Sequence, residues 1–387
     1  MTVTSKYEFD EKYDALIVGA RAAGAATALL LASQGLKVLA IDRQAYGSDT
    51  ISTHALMRGA VIQLTRWGLL DEIIKAGTPA VRYTTFYYGD EAIGLDIKPE
   101  YGANSLFAPR RTVLDRVLVD GARRAGAHIY HGGSLRALDF DPDGRVTGAS
   151  FQDAEGNAHS IKADIVIGAD GRRSTVADLV NAQTYRRSEY RTSAIYGYLS
   201  GITDEGFRWY YRPGVSVGAI PTNAGETCVF VSLLPERLRR EIAKGSESLF
   251  ETILAETSPD FAREAGRASR PDRLRRHPGE NGFFRQSFGP GWALVGDAGF
   301  FKDPLTAHGI TDALRDAELL AAAVNDASMS AFKRYQDERD ALSQEHFNVT
   351  DAIASFNWDL DTVKDHHRRL SKTLKVETAA IAARAAA

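Results

Sequence analysis

Residues 13–42 read YDALIVGARAAGAATALLLASQGLKVLAID, and this stretch decides the fold class. Residues 13–19 form a short apolar run that ends in glycine, which is typical of a buried parallel strand. Residues 22–34 are rich in alanine and leucine and predict a helix, which Gly35 ends. Residues 37–42 predict a second buried strand. Strand, glycine turn, helix and strand in this order predict a βαβ unit.

The turn after the first predicted strand reads GARAAG at residues 19–24. Gly19 would form the tight turn, Gly24 would allow the helix to pack closely on the strand, and the free N–H groups of the helix would bind a pyrophosphate. Asp42 ends the second strand, where a carboxylate accepts hydrogen bonds from ribose hydroxyls and suits NAD or FAD better than NADP. Arg21 and Arg43 could each lie beside the pyrophosphate or be solvated at the surface. The predicted cofactor contacts of this unit are Gly19, Ala20, Arg21, Ala23, Gly24, Asp42 and Arg43.

The remaining hydrophobic pattern predicts two interleaved domains. Residues 83–88 (YTTFYY) and 91–97 are typical of strands in a different sheet, and residues 194–233 contain four strand-like runs. Residues 238–261 have a helical pattern, residues 292–296 (WALVG) return to the buried parallel type, and helices follow from Gly309 onward. We therefore expect a nucleotide-binding domain of residues 1–82, 103–190 and 285–330, a substrate domain of residues 83–102 and 191–284, and C-terminal helices over residues 331–387.

The composition narrows the class of protein and its compartment. The chain has 387 residues and a formal net charge of −3, and it lacks a long run of lysine and arginine, which argues against nucleic-acid binding. A single cysteine, Cys228, excludes an intrachain disulfide and a cysteine metal cluster, and we interpret it as a buried inert thiol. Residues 1–12 lack the apolar core of a signal peptide, and the apolar residues 22–32 are too few to span a bilayer. We therefore expect a cytoplasmic protein without a membrane span.

Two later motifs each follow a predicted buried strand. Residues 163–174 read ADIVIGADGRRS, and residues 292–310 read WALVGDAGFFKDPLTAHGI. With the GARAAG turn and these two motifs in this order, the chain resembles the flavoprotein monooxygenase superfamily of the para-hydroxybenzoate hydroxylase fold, which also contains geranylgeranyl reductases and flavin-dependent halogenases. The resemblance covers nearly the whole chain. It implies an α/β fold in which a Rossmann-like FAD-binding domain is interleaved with an antiparallel β-sheet substrate domain, followed by a helical C-terminus.

The resemblance also implies cofactor contacts outside the first unit. Arg111, which opens the pattern RxxLxxxL, matches a helix-start arginine that contacts FAD in the family. Asp170 and Gly171 match the DG motif, which is implicated in both FAD and nicotinamide binding. Gly296 and Asp297 match the GD motif, whose aspartate binds the ribityl or ribose region of FAD.

The loop before the last predicted helix supplies a histidine that could be catalytic. Pro304, Gly309 and Ile310 match the loop and helix start beneath the pyrimidine edge of the flavin, where N–H groups and the helix dipole would stabilise negative charge. His308 replaces a small or acidic residue there, and it could transfer a proton at the flavin or the substrate, or only hydrogen-bond the backbone. His54 follows the second strand and is the other catalytic candidate. It could bind flavin or substrate, or cap a nearby helix, and we favour proximity to the flavin without a chemical role.

The resemblance implies an FAD-dependent monooxygenase that hydroxylates or oxygenates a small apolar, aromatic or polyketide-like substrate through a flavin hydroperoxide. NAD(P)H would donate electrons, directly or through a separate flavin reductase, and Ala177, where the family carries an arginine, favours the reductase. Two alternatives are an FAD-dependent reductase or dehydrogenase of the geranylgeranyl reductase kind, which the PLTxxGI pattern of residues 304–310 favours, and a non-catalytic flavin-binding protein. A halogenase is disfavoured because Ser216 and Gly218 stand where the WxWxIP signature has its tryptophans.

Aromatic side chains are concentrated in the predicted substrate sheet. An apolar pocket for an aromatic substrate would use such side chains. Strands in general are enriched in them, so half or more could belong to the plain core. The residues concerned are Tyr83, Phe86, Tyr87, Tyr88, Trp209, Tyr210 and Tyr211.

Overall fold

The computed structural model describes residues 9–384. We expect no signal peptide in residues 1–12, and most of that segment, residues 1–8, lies outside the described residues. Strands and helices follow one another largely in the predicted order. The strands β1 to β18 are Lys12–Val18, Val38–Asp42, Tyr83–Tyr88, Glu91–Asp96, His128–His131, Ser134–Phe140, Val146–Gln152, Ala158–Gly168, Thr184–Arg187, Ser193–Ser200, Phe207–Arg212, Val215–Pro221, Glu226–Leu233, Arg275–His277, Phe283–Arg285, Phe288–Gly289, Trp292–Leu294 and Phe300–Phe301. The helices α1 to α11 are Ala22–Ser33, Arg58–Arg66, Leu70–Lys75, Arg111–Arg124, Thr175–Leu179, Pro235–Glu241, Ser246–Thr257, Pro259–Arg267, Gly309–Asp326, Met329–Ala354 and Leu360–Ala383.

One sheet contains the βαβ unit and is parallel at its centre. Its order is β16-β17-β8-β1-β2-β5, and β7 and β6 extend it from β8 by antiparallel pairing. Strand β1 lies between β2 and β8 and is parallel to both, so the carboxyl ends of these three strands share one edge. Doubly wound sheets bind nucleotides at this edge. The alanine-rich α1 packs in the same hydrophobic cluster as Ile17 of β1 and Ala40 of β2.

A second, seven-stranded sheet has the order β14-β10-β13-β12-β11-β3-β4, and its pairs are antiparallel except for β3 with β11. A three-stranded sheet consists of β18, β15 and β9. The chain leaves the first sheet after β2, returns for β5 to β8, leaves again for β10 to β14, and returns at β16. This interleaving confirms the predicted fold class. The residue bounds of the two predicted domains stay a prediction.

Two helix predictions differ from the structure. The sequence pattern predicts one helix over residues 238–261, whereas the structure has the separate helices α6, α7 and α8 between residues 235 and 267. Helix α6 ends at Glu241 and is followed by a 3₁₀ turn, Ile242–Lys244, which ends at Gly245 with a φ of +94°. Helix α8 begins anew at Pro259 after Ser258, whose side chain caps it. Helix α2 begins at Arg58, so His54 is not its cap.

The C-terminal helices pack on one another and on α1 and α2. Helix α9 packs on α1, α10 packs on α9, and α11 packs on both α10 and α2. Across the described range, no helix is both long enough and apolar enough to cross a membrane.

Candidate active site

The first strand ends in a turn that requires glycine. Gly19 has a φ of +100°, and a Cβ on it would lie 2.4 Å from the carbonyl oxygen of Ala169, which follows β8. A Cβ on Gly24, in α1, would lie 1.8 Å from the carbonyl oxygen of Gly19. These glycines therefore let the start of α1 pack on the turn, and let the turn pack beside the DG motif. The predicted roles of both glycines in packing agree with this geometry.

Asp42 and the glycine turn form one end of the candidate site. The buried Asp42 carboxylate accepts hydrogen bonds from the backbone N–H of Ala20, at 2.8 Å, and of Gln44, at 2.7 Å. Ala20, Arg21 and Asp42 line one recess. A carboxylate offers about four acceptor sites, so Asp42 keeps the capacity to bind a ribose hydroxyl. The side chain of Arg43 is exposed.

The two predicted cofactor arginines near this recess share one carboxylate. Arg21 Nη1 lies 3.0 Å from Asp115 Oδ2, and Arg111 donates to the two Asp115 oxygens at 2.9 and 3.1 Å. Because two guanidinium groups face one carboxylate, the cluster keeps a net positive charge, which suits a pyrophosphate. The sequence analysis did not identify Asp115, although its position four residues after Arg111 on a helix was an available signal.

Asp170 of the DG motif stabilises the short helix α5. Ser174 Oγ donates to its carboxylate at 2.5 Å, and the Thr175 N–H donates at 2.6 Å. Burial raises the pKa of Asp170 above its ordinary value, whereas these hydrogen bonds act to lower it. Gly171 has a φ of +82°, and a Cβ on it would meet nothing within 4 Å. Ala177 is buried, so an arginine at this position would displace the surrounding core.

The GD motif lies against the glycine turn of the βαβ unit. Gly296 has a φ of +59°, and a Cβ on it would lie 2.8 Å from the Cβ of Ala23. Burial raises the pKa of the half-buried Asp297 to about 6, and the charges of Arg172 and Arg111 oppose this rise. Three distant parts of the chain, near residues 19–24, 170–172 and 296–297, are therefore neighbours in the folded protein.

Hydrogen bonds of Asp303 hold the loop before α9 in place, and the first residue of that helix has free space around it. Asp303 accepts a backbone N–H in the turn that begins at Pro304, at 3.0 Å, and the backbone N–H of Thr192, at 2.6 Å. Gly309 is the first residue of α9, and a Cβ on it would meet nothing within 4 Å. The next residue, Ile310, is buried. The free N–H groups of this helix start fit the electron-rich edge of a flavin.

His308 belongs to a buried ionic network. Its Nε2 lies 2.5 Å from one oxygen of Glu377, and Arg315 donates to the other oxygen at 2.5 Å. Burial acts to raise the pKa of Glu377, but His308 and Arg315 hold it well below its ordinary value. Within residues 9–384, His308 Nδ1 has no hydrogen-bond partner. The interpretation that this histidine bonds only the backbone is therefore wrong, because its ring bonds a side chain.

Three more charged groups, Lys302, Asp312 and Asp316, belong to this network, and Arg315 Nη2 lies 2.7 Å from Asp316 Oδ1. Asp312 pairs with both Lys302 and Arg315, and the His346 ring lies with its centroid 4.7 Å from that of His308. Ligand atoms of His308, Asp312 and His346 lie within 4.8 Å of one another, a spacing that a metal ion could use. A divalent cation there would meet the fixed positive charges of Lys302 and Arg315. We therefore interpret the cluster as ion-paired support for the loop.

His54 is fully buried and contacts the antiparallel sheet. Its Nε2 is hydrogen-bonded to the Tyr198 hydroxyl of β10, and the Arg110 guanidinium lies 3.5 Å from the centroid of the Tyr198 ring. Burial, assisted by the charge of Arg111, lowers the pKa of His54 to about 3, so its imidazole is neutral near pH 7. Arg110 also pairs with Glu226 at 2.6 Å. The sequence analysis identified neither Tyr198 nor Arg110.

A hydrophobic cluster joins the aromatic sheet to the loops around the candidate site, and we call it the sheet–loop cluster. It includes Ala55, Leu305 and Ala307 from loops and residues of the C-terminal helices such as Val349 and Ile353. Its sheet members are Tyr88, Tyr196, Tyr198, Phe207, Trp209, Tyr211, Ile220, Cys228 and Phe230. Phe86 packs against this cluster, whereas Tyr210 belongs to another cluster and Tyr83 is exposed. Burial raises the pKa of Cys228 to about 12, which confirms the inert buried thiol.

This fold, with three motifs around one sheet edge, defines an FAD-binding flavoprotein. The chain matches the FAD binding domain family over residues 12–350, and it belongs to this family. It is therefore a flavin-dependent oxidoreductase.

Relatives of this chain differ in activity. It is 24% identical to conditioned medium factor receptor 1 of Dictyostelium discoideum, over 92% of this chain and 73% of that protein. It is 25% identical to digeranylgeranylglycerophospholipid reductase 1 of Methanococcoides burtonii, over 84% of this chain and 79% of that protein. It is 28% identical to 2,4-dichlorophenol 6-monooxygenase of Delftia acidovorans, over 54% of this chain and 39% of that protein. Family membership thus gives the cofactor and does not by itself give the reaction.

Solved structures agree with the fold. A flavin-dependent brominase is similar with a TM-score of 0.81 at 18% identity, over 96% of this chain and 93% of that chain. PqsL of Pseudomonas aeruginosa, described as a probable FAD-dependent monooxygenase, is similar with a TM-score of 0.77 at 20% identity, over 94% of this chain and 100% of that chain. At such identities the likeness concerns the fold alone.

Proposed function

We propose that this protein is an FAD-dependent monooxygenase that transfers one oxygen atom from dioxygen to a small, apolar, aromatic or polyketide-like substrate. The sheet–loop cluster carries this proposal, because it contains residues of the loop before α9 together with aromatic side chains of the second sheet. Apolar walls beside the helix start would exclude water from the reacting atoms. The 28% identical relative, a dichlorophenol monooxygenase, supports an aromatic substrate.

Residues from all three motifs would hold FAD, with Asp170 and Gly171 as the contacts from the DG motif. Asp42 would bind the ribose of the adenosine half, Arg21 and Arg111 would lie beside the pyrophosphate, and Asp297 would bind the ribityl or ribose region. Gly309 would leave room for the flavin at the start of α9, where a Cβ would meet nothing within 4 Å. When bound, FAD supplies the activation of dioxygen.

His54 would orient the substrate. Its Nδ1 has no hydrogen-bond partner in the described part of the chain, and its ring is neutral because burial lowers its pKa to about 3. A neutral imidazole can donate or accept one hydrogen bond at this atom, so it can hold a substrate hydroxyl or carbonyl. Tyr198 fixes the ring through the bond to Nε2.

His308 would hold or move a proton close to the start of α9. Glu377 accepts a hydrogen bond from Nε2 if that nitrogen carries the proton, which leaves Nδ1 as the acceptor. In the ionised imidazolium both nitrogens are donors, and the carboxylate of Glu377 stabilises the charge. Glu377 is in this proposal a positioning residue.

Oxygen consumption tied to product formation tests the proposal. Holoprotein supplied with reduced flavin and a panel of phenols and aromatic polyketides should consume dioxygen when a substrate is present, and ¹⁸O₂ should label the product with one atom. His54→Phe should lower kcat/KM about tenfold or more at unchanged FAD content, since one polar contact to the substrate is lost. Product formed without an oxygen label would exclude oxygen transfer.

A reductase or dehydrogenase of the geranylgeranyl reductase kind is the second candidate. The PLTAHGI loop at residues 304–310 and the 25% identical phospholipid reductase support it. Such an enzyme needs no dioxygen, so turnover of a polyprenyl substrate by reduced holoprotein under anaerobic conditions would favour it. Stoichiometric flavin without turnover on any substrate would instead favour a non-catalytic flavin-binding protein.

Crowding in β12 weighs against a halogenase. A Cβ on Gly218 would lie 2.2 Å from the Phe230 ring, and Ser216 is buried. A tryptophan at either position of the signature would therefore require the sheet to repack.

NAD(P)H is the proposed source of electrons, directly or through a separate flavin reductase. The buried Ala177 supports the separate reductase, because the family's arginine has no counterpart there. Anaerobic mixing of holoprotein with NADH or NADPH should bleach the flavin slowly, and addition of a flavin reductase should accelerate the bleaching. Fast bleaching by either nucleotide alone would refute the separate reductase.

A further inference from the structure

A cavity of about 470 Å³ has five arginines among the described residues that line it. It is lined by residues of β9, β15, the last turn of α6, residues 278–281 and the loop after the DG motif. Among the described residues that line it, one is acidic. The polar lining residues are Arg172, Arg187, Arg191, Arg239, Arg285, Glu280 and Asn281.

The acidic residue does not balance the arginines. Arg172 already pairs with Glu280, at 2.6 Å. Arg187, Arg191 and Arg285 have no carboxylate partner in the part of the chain that the structure describes. The lining therefore contains more arginines than carboxylates, and three of its arginines form no ion pair among the described residues.

The excess charge acts on the arginines themselves. Burial lowers the pKa of Arg285 and the nearby Arg187 acts in the same direction, whereas the carboxylates of Asp178, Asp170 and Glu280 act to raise it. An anion with several charges would relieve this repulsion, and guanidinium groups bind phosphate oxygens in bidentate pairs. The volume falls in the range of small-molecule sites, roughly 300–1,000 Å³, and exceeds what one phosphate needs.

We propose that this arginine cavity binds a nucleotide that carries two or more phosphate groups. Arg187, Arg191 and Arg285 would contact the phosphates. The occupant would lie close to the cofactor motifs, because Arg172 follows the DG motif and Arg285 donates to the carbonyl oxygen of Ala298 in the GD turn, at 2.9 Å. A nicotinamide dinucleotide and a substrate carried on coenzyme A share this chemistry.

Calorimetric titration of the FAD-loaded protein with NADPH, NADH, coenzyme A and inorganic pyrophosphate tests the proposal. At least one nucleotide should bind, and its affinity should fall as salt is raised, because screening weakens contacts to phosphate. Arg187→Gln with Arg191→Gln should weaken binding about tenfold or more. The matched control is Arg240→Gln on α6, an exposed arginine outside the cavity, which should bind like the wild type.

The double variant could lose binding because it fails to fold, so the single variant Arg187→Gln is the control. Its position is exposed, and it should fold and still weaken binding about threefold. Tighter binding of NADPH or of coenzyme A identifies the source of the phosphates. Failure of all four probes to bind at millimolar concentration, or equal affinity of wild type and double variant, would overturn the proposal. Neither result would change the outcome of the oxygen-transfer assay, because reduced flavin is supplied directly in that assay.

Discussion

Glycines at the candidate site fall into two kinds that have different physical causes. Gly19 and Gly24 are required by the chain itself, since a Cβ on either would overlap a backbone carbonyl. Gly309 has no such cause, because a Cβ on it would meet nothing within 4 Å. A glycine in a helix costs up to about 1 kcal/mol relative to alanine. We propose that the cofactor needs this space, which would explain a glycine at this position.

Gly309→Ala should therefore separate cofactor binding from folding. We expect FAD affinity to fall about tenfold or more, while the unfolding free energy of the apoprotein stays within about 0.5 kcal/mol of wild type or rises slightly. Quenching of flavin fluorescence measures the first quantity and urea denaturation the second. The control is Gly266→Ala in α8, where a Cβ also meets nothing within 4 Å. Unchanged FAD affinity in Gly309→Ala would place the flavin elsewhere.

Protonation of His54 should limit stability in acid. Its pKa is about 3 in the folded protein and about 6.5 in an unfolded chain, so the folded state disfavours the proton. Its contribution is complete above pH 6.5 and is lost as the pH falls toward 3. At pH 4.5 this loss amounts to roughly 3 kcal/mol. Urea denaturation at pH 7 and pH 4.5 should show a smaller pH dependence in His54→Gln than in wild type.

The exposed His128 provides the control for this measurement. His128→Gln should keep the wild-type pH dependence. If His54→Gln and His128→Gln lose stability in parallel with wild type between pH 7 and pH 4.5, another group sets the acid limit.

Strands and helices with a local pattern could be predicted from sequence, and side-chain pairs between distant elements could not. The βαβ unit was predictable because glycine turns and apolar runs act within about ten residues. The pair of His54 with Tyr198 joins residues 144 positions apart, and that of His308 with Glu377 joins residues 69 apart. Such pairs depend on how elements pack, and no period in the sequence encodes them.

Helix α11 should stabilise the loop before α9 through Glu377. Removing one partner of a buried ion pair leaves an uncompensated charge, so Glu377→Gln should lower the unfolding free energy by roughly 3 kcal/mol. Glu345→Gln removes the exposed pair with Arg369, at 2.7 Å, and should cost about 0.5 kcal/mol or less. Urea denaturation of both variants measures the difference. A loss in Glu377→Gln as small as in Glu345→Gln would show that the network does not support the fold.

At the scale of the whole molecule, the candidate cofactor site consists of segments that are far apart in the sequence. Between the glycine turn and the DG motif the chain contributes β3 and β4 to the second sheet, and between the DG and GD motifs it contributes β10 to β14. No single segment can form the site alone. Binding of FAD should therefore stabilise the whole interleaved structure, by about 2.7 kcal/mol at a free concentration one hundred times Kd.

Hydrogen exchange with and without FAD tests this convergence. FAD should slow exchange simultaneously in residues 19–24, 170–175 and 296–311, because all three segments would contact one ligand. ADP carries only half of the cofactor and should protect the first segment and Asp42, with little effect near Gly309. Helices α6 to α8, residues 235–267, serve as an internal reference for general stabilisation. If FAD and ADP gave the same protection, the flavin half would not reach the start of α9, and the proposed reaction would lose its site.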